Sequence, residues 1–453
     1  MKRTDVDLLK NKNERTLILA SVIISALIVD MTLSTFSDIL QRQLATVLGI
    51  LLFIIIIVAI FVGQYSLYGF VNRVTREVRP KILYFSKITS HLVIVQYVIT
   101  SILLFMILQI VITSSYHVGL IIAATSISYT LATIIMTLLS YKFFSWYKSD
   151  KNITVLLYGL AGALVAISTG THILTHNSIL LEKLADIRQG SNLKTEFPDI
   201  NPSTFGTLGW IFLYIYVTPL LLSFMLMYAG TAFLLYHYSE KIGKIKYWLV
   251  ISLPLISIVC GMIPTLIAMP SGNFTFYKKN LVTYRIFTIL SGTSGGILIG
   301  VGFLTIAINI RQINQSTSSV VNYITISAYG VIMQAICLET PIYQTPYPPF
   351  GIAASSFIAL ACYFYSLGVY SSAISVSQDM KLRQAIKKFA ANQSKLLDSI
   401  GSAEMENEIQ GRVIALTKRH KDLLEEETGV QSSLTEDDVK QYLEVVLKEI
   451  KKK

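Results

Sequence analysis

Residues 51–61 read LLFIIIIVAIF, eleven apolar side chains in succession inside an uncharged stretch that runs from 44 to 64. A helix rises about 1.5 Å per residue, so roughly 20 such residues cross the ~30 Å hydrocarbon core of a bilayer. Working outward from this segment, charged breaks separate nine further apolar runs at 17–36, 91–113, 118–140, 153–174, 208–235, 247–269, 286–310, 320–338 and 351–376. The run at 320–338 is the most dilute, because Asn322, Thr325, Ser327 and Gln334 interrupt it. The pattern predicts an all-α, polytopic transmembrane helix bundle of about ten spans over 17–376. It is preceded by a basic leader, 1–16, and followed by a helical tail, 377–453.

Composition supports the same solvent. Of the 453 residues, 53% are hydrophobic and 14% charged, whereas soluble domains carry about 25% charged residues. The net charge of +11 would suggest nucleic acid on a soluble domain. Yet the tail holds 14 basic and 14 acidic groups, so the whole excess belongs to the apolar portion. That distribution is a topology signal, and no nucleic-acid partner is expected.

Lys and Arg gather on the cytoplasmic side of short loops. With ten spans, one side collects 21 of them, including Arg73, Arg76, Lys142, Lys148, Lys244 and Lys381, and the other side 7. Both termini are therefore expected in the cytoplasm of a cell membrane. Lys278 and Lys279 are the dissenting pair. The first run is too long for a signal-peptide core and no small-x-small cleavage site follows Phe36, so a retained anchor is expected. Cys260, Cys337 and Cys362 all fall inside apolar runs and read as small core residues rather than a disulfide framework.

Polar groups inside apolar runs are the candidates for function. Asp30 lies within the first span, on a helical face with Ala26 and Ser34, and a carboxylate there costs about 2.5–3.5 kcal/mol on insertion scales. It could serve as a substrate or ion site, or as a hydrogen-bonded structural group. His172 and His176, at i and i+4, project from one face near the outer end of the fifth span, and His117 sits at the neighbouring outer turn. Three imidazoles could hold a transition metal; helix-end histidines also simply occupy the polar interface. No other cofactor is indicated. Pro254 and Pro264 interrupt the seventh span, while Gly292, Gly296 and Gly300 form a ridge on the eighth that would admit a neighbouring backbone.

Two outer segments have their own character. Residues 175–207 alternate Glu182, Lys183, Asp186 and Arg188 with Ile179, Leu180, Leu181 and Leu184, which suits a short amphipathic surface helix. Residues 339–350, ETPIYQTPYPPF, hold four prolines, enough to stiffen an outer cap. Asn273 in NFT is an outward acceptor tripeptide for glycosylation.

The tail has heptad spacing at Leu382, Ile386, Phe389, Gln393, Leu396, Ile400 and Ala403. After a break near 401–407 the seam resumes in a new phase at Ile409, Val413, Leu416, His420 and Leu423. A last helix is expected from Thr435, with a stripe at Val439, Leu443, Val446 and Ile450. This coiled-coil-like tail predicts a cytoplasmic protein partner or self-association, or else packing on the chain's own loops.

No P-loop, nucleophile elbow, HExxH or dinucleotide fingerprint is present, so an enzyme with a familiar soluble active site is not expected. PYPPFGIAASSF, GVYSSAISVSQDMKLRQAIKK and SKLLDSIGSAEME, over about 347–406, resemble a family of multi-pass membrane proteins from ammonia-oxidising archaea. The resemblance implies an archaeal plasma membrane and assigns no residue a role. The sequence thus predicts a non-enzymatic sensor or scaffold with an interaction tail. The alternative is a secondary transporter built on Asp30 and the kinked seventh and eighth spans.

Overall fold

The computed structural model describes residues 20–37, 39–74, 83–188, 207–236, 243–249, 251–256, 259, 281–313, 318–340, 347–379, 383–384, 395–428, 438–439 and 442. Among them every regular element is helical. Ten helices organise the fold: α1 (Ala20–Thr35), α2 (Val47–Val74), α3 (Leu83–Thr113), α4 (Val118–Asp150), α5 (Ile153–Arg188), α6 (Thr207–Leu235), α7 (Leu281–Ile313), α8 (Ser318–Leu338), α9 (Ile358–Gln378) and α10 (Lys395–Thr428). The eight from α2 to α9 are long and apolar enough to cross a membrane; α1 is shorter and equally apolar. Residues 244–249 and 251–256, at the head of the seventh expected span, are helical too. Lys278, Lys279, Asn273, Pro264, Cys260 and the leader lie outside the described residues.

Burial sorts these helices into centre and periphery. In α9, 94% of the membrane window is buried, against 33% in α2. A helix apolar all round and buried all round belongs in the middle of a bundle. It packs on α8, α4 and α10. On α2, by contrast, Phe53, Ile56, Ile60 and Leu67 turn inward while Leu48, Ile55, Val62 and Tyr65 are exposed. An apolar outward face on so many helices suits a hydrocarbon surround.

Lipid is as apolar as leucine, so helices inside a membrane gain little by burying aliphatic area and must gain by close approach. The predicted glycine ridge does this. A Cβ on Gly296 would lie 2.4 Å from the Ala335 Cβ, and one on Gly300 would lie 2.4 Å from Ile332 Cγ1. Both face α8, and the α7–α8 contact is among the most extensive in the bundle.

One expectation about element ends changes. The amphipathic segment at 175–188 is not a separate surface helix: α5 continues through it to Arg188, because no glycine or proline interrupts 174–188. At 401–407, where the heptad seam changes phase, α10 runs unbroken from Lys395 to Thr428 with Gly401 buried against Val376.

Candidate functional site

Polar side chains converge at the two ends of α9. The first cluster forms where residues 347–351 turn into the helix. Tyr347 stacks on Tyr116 at 6.4 Å, and Phe350 meets Phe53 edge-on at 5.4 Å. The Tyr347–Pro348 peptide is cis. Half of the proline segment is therefore tucked into the bundle; residues 341–346 lie outside the described set. At Gly351 the backbone has φ +91°, and a Cβ there would lie 2.5 Å from Ser34 Oγ. Only glycine combines that left-handed conformation with so close a neighbour.

Gly351 is the N-cap of the turn Ile352–Ser356 that leads into α9. A helix start leaves amide donors without partners, usually met by a Ser or Thr at the cap and a Glu three residues on. Here both positions, Gly351 and Ala354, lack a polar side chain. Asp30 supplies the missing acceptors from α1: Gly351 N–H donates to Oδ1 and Ala354 N–H to Oδ2, each at 2.9 Å. The carboxylate is 0% exposed. It sits against the positive end of the helix dipole, where a negative charge is stabilised. Asp30 is thus engaged through both oxygens with backbone amides.

The expected histidines stand in different settings. His172 is buried and stacks on Tyr129, with ring centroids at 4.1 Å, while Tyr216 meets its edge at 4.8 Å. Tyr216 Oη donates to the Leu338 carbonyl at 3.0 Å, so the cluster ties α4, α5, α6 and α8 together. His117 is exposed at the N-cap of α4, its backbone N–H donating to Gln109 Oε1 at 3.2 Å. The side chain of His176 is outside the described set. Among the described residues no three His, Cys, Asp or Glu side chains converge as metal ligands would.

The second cluster, at the opposite end of α9, was hidden inside the apparent heptad break. Glu404 of α10 accepts a hydrogen bond from Trp146 Nε1–H at 2.8 Å and another from Tyr370 Oη at 3.3 Å. Lys142 Nζ lies 4.0 Å from the same carboxylate and 5.0 Å above the Tyr370 ring. Around this clasp Ser149 donates to Glu406, Asn152 Nδ2 to Ser399 Oγ at 2.6 Å, and Asn407 Nδ2 to Ser145 Oγ at 3.2 Å.

Beside the polar contacts, Leu396, Leu397 and Ile400 are inserted among Phe143, Phe303, Ile324 and Val369. The space left between them is about 10 Å³, room for one water at most. Burying each such side chain from water is worth about 1.5–3 kcal/mol. That driving force is available where α10 leaves an aqueous phase, as it is not between helices within lipid. The sequence signal for this cluster was the phase shift in the seam, which marks a change in what the helix faces.

No protein-family model, curated protein or solved structure matches this chain.

Proposed function

We propose that the protein is a non-enzymatic membrane relay, of sensor or scaffold type, whose central helix α9 couples an outer cap to a cytoplasmic arm. The observation that carries this reading is that α9 is held at one end by Asp30 and at the other by the Glu404 clasp. A packed helix with a distinct clasp at each end is the kind of element two sites can bias together. The loops assigned to the outside, at 114–117 and 347–351, meet at the Asp30 end, and the basic side chain of Lys142 lies at the Glu404 end. In this reading the chain crosses the cell membrane of an archaeon ten times, with both termini in the cytoplasm.

The engagement of both Asp30 oxygens by backbone amides favours this reading over transport through Asp30. Hydrogen exchange in vesicles tests it. Asp30→Ala should speed exchange of the amides of 396–407 several-fold, at the far end of α9. Unchanged exchange there would leave the cap a purely local fixture.

A further inference from the structure

The two halves of α10 carry their apolar stripes on opposite sides. At about 100° per residue, the docked residues Leu396, Leu397, Ile400, Ala403, Glu404 and Asn407 centre on one face. Ile409, Val413, Leu416, His420 and Leu423 centre on a face turned about 180° from it. The helix is continuous between them. The second stripe therefore points away from the bundle that holds the first. Ile409 is 39%, Leu416 55% and Leu423 45% exposed. Among the described residues, packing on the chain's own membrane portion does not account for three large aliphatic residues aligned in that direction.

We infer that this stripe is a homodimer seam, pairing α10 with the same helix of a second copy, in parallel and in register. This rests on the reading of α10 as an arm and names its partner. Four features select a second copy. In the heptad frame Val413 takes an a position and Leu416 and Leu423 take d positions. A β-branched residue at a with leucine at d is the core that favours two parallel strands. His420 supplies one polar a position, the device that fixes register and strand number at some expense of stability. The flanking g and e' positions pair Arg412 with Thr417 and Arg419 with Leu424 across the seam, so no like charges oppose each other. Finally, two copies embedded with the same sidedness present their arms on one side, in parallel, around a two-fold axis along the membrane normal. The seam is only two heptads long, too short to hold isolated helices together. Here the helix is already formed by docking, and confinement to one bilayer raises its effective concentration.

Oxidative cross-linking of the full-length protein in native membranes tests the seam. Leu423→Cys, at a d position, should give a disulfide-linked dimer. Lys418→Cys, on the opposite face, should stay monomeric. In the Leu423→Cys background, Leu416→Asp should reduce the dimer at least tenfold and His420→Val should increase it; both side chains point away from the docked face, so folding is preserved. A monomer at both positions, or equal cross-linking of both, would overturn the inference. So would linkage of the Leu423→Cys variant to a different protein, although that result would leave the arm's role as an interaction surface standing.

Discussion

Asp30 shows how much one side chain does when its surroundings supply no alternative. Gly351 is glycine because the chain turns through a left-handed conformation against Ser34, and that choice removes the usual capping side chain. Asp30→Ala leaves two buried amides without acceptors, at about 1–3 kcal/mol each. Melting of the purified protein in detergent should show a clear loss of stability. Gly351→Ala should lower it as well, since the left-handed conformation costs an L-residue roughly 1–2 kcal/mol before any clash with Ser34. His172 teaches a different lesson. Its i, i+4 partner suggests ligation; the ring itself lies between Tyr129, stacked, and Tyr216, edge-on. His172→Ala should destabilise the bundle by about 2–4 kcal/mol through the cavity it leaves, and His172→Phe should recover most of that. The spacing was visible in the sequence. What it faced was not, because Tyr129 and Tyr216 lie on other helices.

At the scale of elements, hydropathy located the helices well, since a bilayer demands long uninterrupted apolar runs and leaves little ambiguity. Gly296 and Gly300 likewise disclosed their role, because a small-residue ridge has few uses other than close packing. Gly300→Leu should separate α7 from α8 and cost about 1–3 kcal/mol, measured by the same melting experiment. The ends of elements were harder. Periodicity placed a separate surface helix within 175–207 and a phase change in the seam at 401–407; α5 runs on without interruption to Arg188, and α10 is one continuous helix whose apolar stripe changes sides. A heptad count reports that apolar residues align; it does not report against what. For α10 the two halves make opposite predictions. Ile400→Asp should release residues 396–407 into rapid hydrogen exchange, while Leu416→Asp should leave that exchange unchanged, being on the far face.

For the molecule as a whole, the defining feature is the position of α9. Its 94% buried window and its packing on α4, α8 and α10 place it at the centre of the bundle, and its own sequence differs from that of the peripheral α2 chiefly in a greater share of Ser, Ala and Gly. Small residues allow neighbours to approach from every side, which is why a less hydrophobic helix is the more buried one. The Glu404 clasp showed in the sequence only as a phase shift in the seam, because its four members, Lys142, Trp146, Tyr370 and Glu404, come from three helices. If α9 couples its two ends, the coupling runs both ways. The most direct measurement places a cysteine at Tyr347 and labels it from outside intact cells with a membrane-impermeant maleimide, with the otherwise native chain as control. The account predicts labelling from the outside that becomes several-fold faster when Ile400→Asp frees the arm. Labelling at an unchanged rate, or only after the cells are opened, would contradict it.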